Sequence, residues 1–477
     1  MSTIVRNTTF KVISVKIISV MPQSGAVETQ ITGNIIDFAF FRSMKDVVGS
    51  GYINLVESLG SAGSFRKIAG MRGLDAIRFE IDTGDSKTNV LFFLIYAIDN
   101  VQIMEDKRTF TLRFTEPFGI ANSFLRVGMK YSNMKCSEVV EKIGSIANSS
   151  QQTSIINGFM KSNGVNDSIF IKGQFDDSTN NINFLVPMWH PLKAMLYFAN
   201  SACVEAPQDV ASCVLFTDHS GKFNLLSMSS LFEGKVGKKE FVYQFSGNIK
   251  EDIANEQEKR YSISQLSMSS IYNIQEFAKL GIFGKRLFEA DLYTLAGSQN
   301  EKQLGVPQLQ IGANDMPSGT YPYKDFTFEE VKSAAAVLYS GNSKILDFQT
   351  WVTEDYATPD HLYNIVFYNG ANDKSEKVLE TIIEPRDLRG DPVRSILTYF
   401  KIKVRIPVEL ELDVGTMFTI KESSGVQKID EISGQKFVVS SVAHYFTLIN
   451  AYTMVEAFSV PSGIADKPNL EKSFANA

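Results

Sequence analysis

What this chain has little of narrows its chemistry. Its 477 residues include three cysteines, Cys136, Cys203 and Cys213, and no CxxC pair. An odd count leaves at least one thiol unpaired, which argues against a secreted disulfide framework and for folding in a reducing cytoplasm. The four histidines, His190, His219, His361 and His444, stand at no metal-ligand spacing, and there is no HExxH. Neither a GxSxG elbow, nor a phosphate-cradling GxxxxGK[ST], nor a GxGxxG opening a helix occurs. The two tryptophans, Trp189 and Trp351, are few for a glycan-stacking platform. The longest apolar run, Val90 to Ile98, is too short to span a bilayer and reads as a strand buried on both faces. The N-terminus has no basic region leading into an apolar core, so neither a signal peptide nor a membrane anchor is expected. No cofactor is expected either.

What is present is ordinary folded-protein material. Hydrophobic content is 44% and charged content 21%, and the length argues for several domains. The net charge of -6 does not favour sequence-independent binding to nucleic acid. Thirty-five phenylalanines suit a chain with much sheet to pack.

Hydrophobic alternation predicts strands at Val12–Val20, Gln30–Ala39, Gly51–Val56, Ile77–Ile81, Val90–Val101 and Thr109–Phe114. Turn-forming stretches SGAVET, GSAGS and DTGDSKTN separate them. After Pro117 the period changes. Ser137–Ala147 places Val139, Val140, Ile143, Ile146 and Ala147 on one helical face, with Asn148 and SSQQTS closing it. Pro191 opens a second helix carrying Leu192, Met195, Leu196, Ala199 and Ala202. Strands at Ala211–Phe216 and Lys222–Met228 flank an Asp218–Gly221 turn, and strands at Ile345–Val352 and Tyr363–Tyr368 precede a helix at Pro392–Phe400. The fold class is therefore mainly β with an α/β part. The expected divisions are 1–117, a first β-barrel; 118–255, a mixed α/β domain; 256–295 with 390–462, a second, split barrel; 296–389, an inserted β-rich domain; and 463–477, a flexible tail.

The two ends share a pattern. Phe92–Pro117 and Lys436–Pro461 align without a gap, bringing Phe93 onto Phe437, Ile98 onto Val442, Thr109 onto Thr453, Phe114 onto Phe458 and Pro117 onto Pro461. Upstream, Ile77–Ile81 and Met417–Ile420 each follow a glycine, Gly73 or Gly415. A duplicated β module lets an oligomer present twice as many similar surfaces as it has subunits.

Few residues suggest chemistry. His190, in WHP at a helix start, and His444, within a strand, read as structural. Glu354, Asp355, Asp360 and His361 cluster on a loop and could hold a hard cation or act in acid and base steps, but a loop cluster of this kind is normally just solvated. Lys401, Lys403 and Arg405 alternate with Ile402, Val404 and Ile406, giving a strand with one basic face, either the wet outer side of a half-buried strand or a stripe that lines a channel or meets an acidic partner.

Several stretches, taken in order, resemble one family. ITGNIIDFAFFRSMKDVVGSGYINLVES, FLVPMWHPLKAMLYFANSA, YNIQEFAKLGIFGKRLFEADLYT and the pair PVRSILTYFKIKVRIPVELELDVGTMFTI and KFVVSSVAHYFTLINAYTMVEAFSV are similar to the baseplate hub proteins of contractile phage tails. The relatives are hubs of T-even and Mu-like phages and of type VI secretion spikes. The resemblance implies a non-enzymatic homotrimer in the tail baseplate of a virion, made in the host cytoplasm. Each subunit would give two barrels to a pseudo-six-fold ring around a channel for genome or tape-measure protein. Its partners would be the central spike, the tail tube or its initiator and the surrounding wedge proteins. The alternatives from other classes are a carbohydrate-binding tail protein and a cell-wall hydrolase acting through Glu354 to His361.

Overall fold

The structure, a computed structural model, describes residues 11–21, 25–58, 75–82, 88–162, 168–204, 213–243, 261–268, 284–291, 304–305, 362–368, 401–422, 435–447 and 450–460. The N-terminal part forms β1 (Lys11–Met21), β2 (Gly25–Gln30), β3 (Ile35–Ser43), β4 (Ser50–Ser58), β5 (Ala76–Asp82), β6 (Thr88–Ile103) and β7 (Lys107–Thr115). Their order in the sheet is β3-β4-β7-β6-β5-β1-β2, every pair antiparallel. Phe38 of β3 lies with its ring centroid 5.2 Å from that of Phe79 in β5. Three strands separate β3 from β5, so at a spacing of about 4.8 Å a flat sheet would hold them about 19 Å apart. The sheet is rolled, and Phe40, Phe93 and Phe114 fill the roll. Among the described residues the strand path does not close on itself.

Local detail departs from the sequence reading in four places. The SGAVET stretch is mostly strand β2, and the segment expected as one strand from Gln30 is broken by a 3₁₀ turn at Thr32–Asn34 before β3 begins. The Thr32 hydroxyl accepts from the Val15 N–H at 2.9 Å, which fixes the break. The Val90 to Ile98 run is buried on both faces only from Phe92 to Ile95. There Phe93 and Ile95 face the roll while Phe92 and Leu94 face the α/β part. Pro117 does more than end β7: it opens a helix, α1 (Pro117–Phe124).

The middle of the chain adds β8 (Lys130–Lys135), α2 (Cys136–Ser149), α3 (Gln151–Ser162), β9 (Ile171–Phe175), β10 (Asn181–Leu185), α4 (Pro191–Ser201), β11 (Cys213–Thr217), β12 (Lys222–Ser227), α5 (Met228–Phe232) and β13 (Lys238–Tyr243). Val139, Val140, Ile143 and Ala147 of α2 are buried as the periodicity requires. SSQQTS, read as a helix closer, also starts α3, because the Ser150 hydroxyl accepts from the Thr153 N–H at 3.3 Å as an N-cap. Gly221 ends the Asp218–Gly221 turn at φ +75, while Asp218 Oδ1 accepts from the N–H groups of Ser220 and Lys222.

The rest comprises β14 (Ser262–Ile263), β15 (Gln265–Met268), β16 (Gly284–Asp291), β17 (Leu304–Gly305), β18 (Leu362–Tyr368), β19 (Lys401–Pro407), β20 (Met417–Glu422), β21 (Lys436–Thr447) and β22 (Ala451–Val460). Strand β16, placed by the sequence reading with the second barrel, pairs instead with β17 and β18 in a separate sheet. The expected Ile345–Val352 strand, the Pro392–Phe400 helix and the tail lie outside the described residues.

The internal repeat is visible in the pairing. The order β15-β19-β22-β21-β20 repeats β3-β4-β7-β6-β5, both in sequence order and with every pair antiparallel. Even irregularities coincide. The β6 ladder shifts register between Ile95 and Ala97, and the β21 ladder shifts between Val439 and Ser441, the positions the gapless alignment superposes. Next to each shift a strand residue donates upstream: Ile95 N to Asp75 O at 2.8 Å, and Val439 N to Thr416 O at 3.0 Å. The second strand of each hairpin is a different case. A further shift between Asp99 and Gln102 adds a residue to the first hairpin. Leu112, opposite Ile98, therefore corresponds to Val455, opposite Val442, and Phe114 corresponds to Ala457 rather than Phe458. A one-residue slip exchanges the faces of a strand, so the Thr109 to Thr453 and Phe114 to Phe458 matches pair residues on opposite faces, although Phe114 and Phe458 are both buried. The sixth strands also differ, since β1 runs antiparallel to β5 and β13 parallel to β20.

Where the units correspond, they have exchanged bulk. Gly51 pairs with Phe114 in the first, and Ile402 pairs with Ala457 in the second. A Cβ on Gly51 would run into the Phe114 ring and the Ala39 carbonyl. Phe114→Ala alone is expected to cost about 3–5 kcal/mol, and Gly51→Ile alone to be at least as damaging. The double variant should be less destabilised than the sum of the two by at least about 1 kcal/mol, with the Ala39 carbonyl keeping the rescue partial. Urea unfolding midpoints check this, and additivity would contradict the exchange.

Candidate partner interface

Strand β19 alternates as its sequence dictates. Ile402, Val404 and Ile406 are buried, and Lys401, Lys403 and Arg405 occupy the other face. The strip is partly engaged within the chain: the Arg405 guanidinium carbon stands 3.9 Å from the Tyr452 ring centroid, and Lys403 Nζ is 4.0 Å from Glu456 Oε1. A charge over an aromatic face at this distance is held without losing its positive potential.

From Arg405 a line of rings crosses the sheet that the sequence reading did not single out. Tyr452 stacks on Tyr445 at 5.1 Å, Tyr445 meets Phe41 at 5.8 Å, and Phe41 meets Tyr52 at 5.9 Å. These residues belong to β22, β21, β3 and β4, so the line spans the junction between the two repeated units. That junction is itself a ladder: Ser441–Thr447 of β21 pairs antiparallel with Asp37–Ser43 of β3. Burial pushes the Tyr52 and Tyr445 hydroxyls above the usual tyrosine range, with the neighbouring Asp37 and tyrosines adding to it. Period-two alternation places each ring on this face, but only the long-range pairing aligns them. Beyond Tyr52, paired with Arg113, the face ends in the Arg113–Asp99 ion pair. Tyr52 and Arg113 correspond in the repeat to Lys403 and Glu456, so equivalent positions carry different chemistry.

A second polar cluster ties the three parts together. Arg42 Nε donates to Glu116 Oε1 at 3.3 Å, both side chains about one-tenth exposed. Glu116 Oε2 accepts from the Thr217 hydroxyl at 3.0 Å, and Arg42 also reaches the His219 carbonyl at 3.4 Å. The His219 ring meets Asp413 Oδ2 through Nδ1 at 2.7 Å. That carboxylate raises the His219 pKa above its ordinary value, against a smaller opposing effect of burial. The cluster edges a cleft of ≈ 320 Å³ lined also by Phe92, Phe118 and Phe223. Ser220, His219 and Asp413 have the composition of a hydrolytic triad but not its geometry. The Ser220 hydroxyl donates to Asp218 Oδ1 at 2.7 Å and is committed to the turn.

His190 Nδ1 lies 2.8 Å from the Asn122 carbonyl and 3.1 Å from that of Leu125, so it donates to the end of α1, while Asn122 Oδ1 accepts from the Leu192 N–H at the start of α4. The two helices cap one another. His444 is buried in β21 beside the Thr453 hydroxyl at 2.9 Å, and burial, with Arg42 nearby, pushes its pKa down to about 3. All three cysteines are buried, and burial pushes the Cys136 thiol up to about 12. Trp189 packs between Tyr197 and Phe184. Glu354, Asp355, Asp360, His361 and Trp351 lie outside the described residues. Among the described residues no group of three His, Cys, Asp or Glu side chains could hold a metal, and no helix is long and apolar enough to cross a membrane.

No protein-family model and no curated protein matches the sequence. Solved structures similar to it include phage tail and type VI secretion proteins. The 43 kDa tail protein of prophage MuSo2 from Shewanella oneidensis is 8% identical, with 94% of this chain and 99% of that one covered and a TM-score of 0.46. A tail protein from Neisseria meningitidis MC58 is also 8% identical at a TM-score of 0.46, over 94% and 96% of the two chains. A type VI secretion component of E. coli is 8% identical at 0.41, over 92% and 76%. At these values the functional reading rests on the chain's own pairing.

The two unusual histidines set opposite pH edges. His219 is raised in the fold, so its contribution is complete below the unfolded value near 6.5 and is lost as pH rises through the higher folded value. His444 is lowered, so its contribution is complete above the unfolded value and is lost as pH falls towards about 3. Thermal midpoints across pH should fall at both ends. Asp413→Asn should flatten the alkaline limb only.

Proposed function

We propose that this chain is a non-enzymatic structural component of a phage-type tail, a baseplate hub that assembles as a trimer. Three copies, each with two like units, present six similar modules around an axis, and the ring joins a six-fold tail tube to a three-fold spike. The observation that carries this reading is the repeated five-strand order with its coincident register shift, joined within the chain by the β21–β3 ladder. On this reading each unit is a barrel in the assembled ring. Closed rings reuse one heterologous contact between successive modules, and the β21–β3 ladder is such a contact made inside one chain.

The chemistry of the repeated face fits the same role. Tyr52 with Arg113 and Lys403 with Glu456 occupy equivalent places. A partner that reads shape meets six alike modules, and one that reads charge meets three of each kind. The Lys401, Lys403 and Arg405 strip then faces the channel or an acidic partner such as the spike or tube. The committed Ser220 hydroxyl and the capping role of His190 support a framework rather than a catalyst.

Light scattering on the purified chain, alone and with its spike protein, should give a trimer, and negative-stain images should show a ring with a central opening. A monomer under both conditions would sink the reading. Arg405→Glu should leave the trimer intact and weaken its binding to the spike or tube by about tenfold or more.

A further inference from the structure

Two exposed features of the chain are complementary and lie apart. The first is the tip of the β6–β7 hairpin. Met104 N donates to Lys107 O at 2.7 Å, closing a turn on Glu105 and Asp106. Every residue from Val101 to Lys107 is exposed, and the apolar ones strongly so: Val101 is 51% exposed, Ile103 71% and Met104 57%. Among the described residues neither Glu105 nor Asp106 has an ion-pair partner.

The second is a ribbon of the α/β part. Strands β8 and β10 pair with Lys130 opposite Leu185, and the ribbon runs on to a bridge between Val127 and Trp189. Alternation puts Arg126, Gly128 and Lys130 on the face away from the buried Val127 and Tyr131. Leu185 stands on that face, 66% exposed. Met188, 62% exposed, crosses it over Gly128, where an added Cβ would strike the Met188 sulfur. Met188 also holds φ 52, a left-handed backbone kept for a side chain that adds nothing to the core. The surroundings carry one sign. No Asp or Glu occurs from Pro117 to Ser137 or from Ser178 to Val204, the segments that build the ribbon, although the whole chain has a net charge of -6. Arg126, Lys130 and Lys193 are exposed there.

Apolar side chains beside cations fit apolar side chains beside carboxylates. Within one chain the tip points away from the ribbon, because β7 runs about 27 Å from Lys107 to Thr115 before the α/β part begins at Pro117. A second copy brings the two together. We infer that the Glu105–Asp106 tip of one copy docks on the Arg126–Lys130 ribbon of the next, with Ile103 and Met104 against Leu185 and Met188. This rests on the reading that copies of the chain assemble, and it adds a contact outside the repeated sheet, between a hairpin and the α/β part. The contact is heterologous, each copy giving a tip and receiving one, so it recurs at every seam of a closed ring.

The test is sedimentation velocity on the full chain, with circular dichroism as the check on folding. Arg126→Glu with Lys130→Glu, and separately Glu105→Lys with Asp106→Lys, should each raise the concentration needed for assembly about tenfold or more, and all four changes in one chain should restore it. Met188→Gly, which removes the side chain and suits the backbone, should weaken assembly without lowering the thermal midpoint. Weakening by each pair with no rescue by the four would mean that these charges face other groups, and overturns the contact. Assembly indifferent to both pairs overturns it and leaves the ring. Loss of spike or tube binding by the Arg126 and Lys130 variant, with self-assembly unchanged, would give the ribbon to another protein and likewise overturn it. A native chain that stays monomeric at every concentration, alone and with its spike, overturns both readings. Rescue within an assembly other than a trimer keeps the contact and sinks the ring.

Discussion

The structure depends on one strand serving two repeated units of a single sheet. The edge of β21 is divided at Ser440, where the ladder with β22 shifts register. Before that point β21 belongs to the C-terminal unit through β20, and after it to the N-terminal unit through β3. A bulge sharpens twist, which is what re-aims β21 from one unit of the sheet towards the other. The consequence reaches the core. Phe446 stacks on Phe38 at 4.5 Å, and Leu410 and Ala451 fill the N-terminal roll beside it. The first unit is therefore finished by residues near the other end of the chain.

That dependence explains which parts of the fold were legible in the sequence. Alternation in β6, β19, β21 and β22 was plain because each has a continuous apolar face, and the β6 to β21 alignment was right down to its irregularity. The β7 to β22 alignment failed by one residue because the bulge between Asp99 and Gln102 leaves no mark in composition. The α3 helix was hidden because SSQQTS reads equally well as an ending and as a cap. At the candidate interface, the basic strip was visible as a local pattern. The ring line from Tyr452 to Tyr52 was not, because its members come together only through the β21–β3 ladder, which joins segments far apart in the sequence.

Duplication kept geometry and released chemistry. Backbone pairing constrains strand order and the bulge, and these are shared. The side chains on the open face are not fixed by that pairing, and there an ion pair in one unit corresponds to a tyrosine and an arginine in the other. Inside, the bulk exchange between Gly51 with Phe114 and Ile402 with Ala457 preserves total volume while making each core specific to its own strands. The Arg42–Glu116 pair with Thr217, and His219 with Asp413, then lock the α/β part against both units.

The divided edge of β21 has a consequence for biosynthesis. β3 is made early and Ser441–Thr447 late, so the β3 edge that Ser441–Thr447 covers waits for its strand while the intervening chain is synthesised. The N-terminal unit and its join to the C-terminal one are therefore completed together, at a late stage of synthesis.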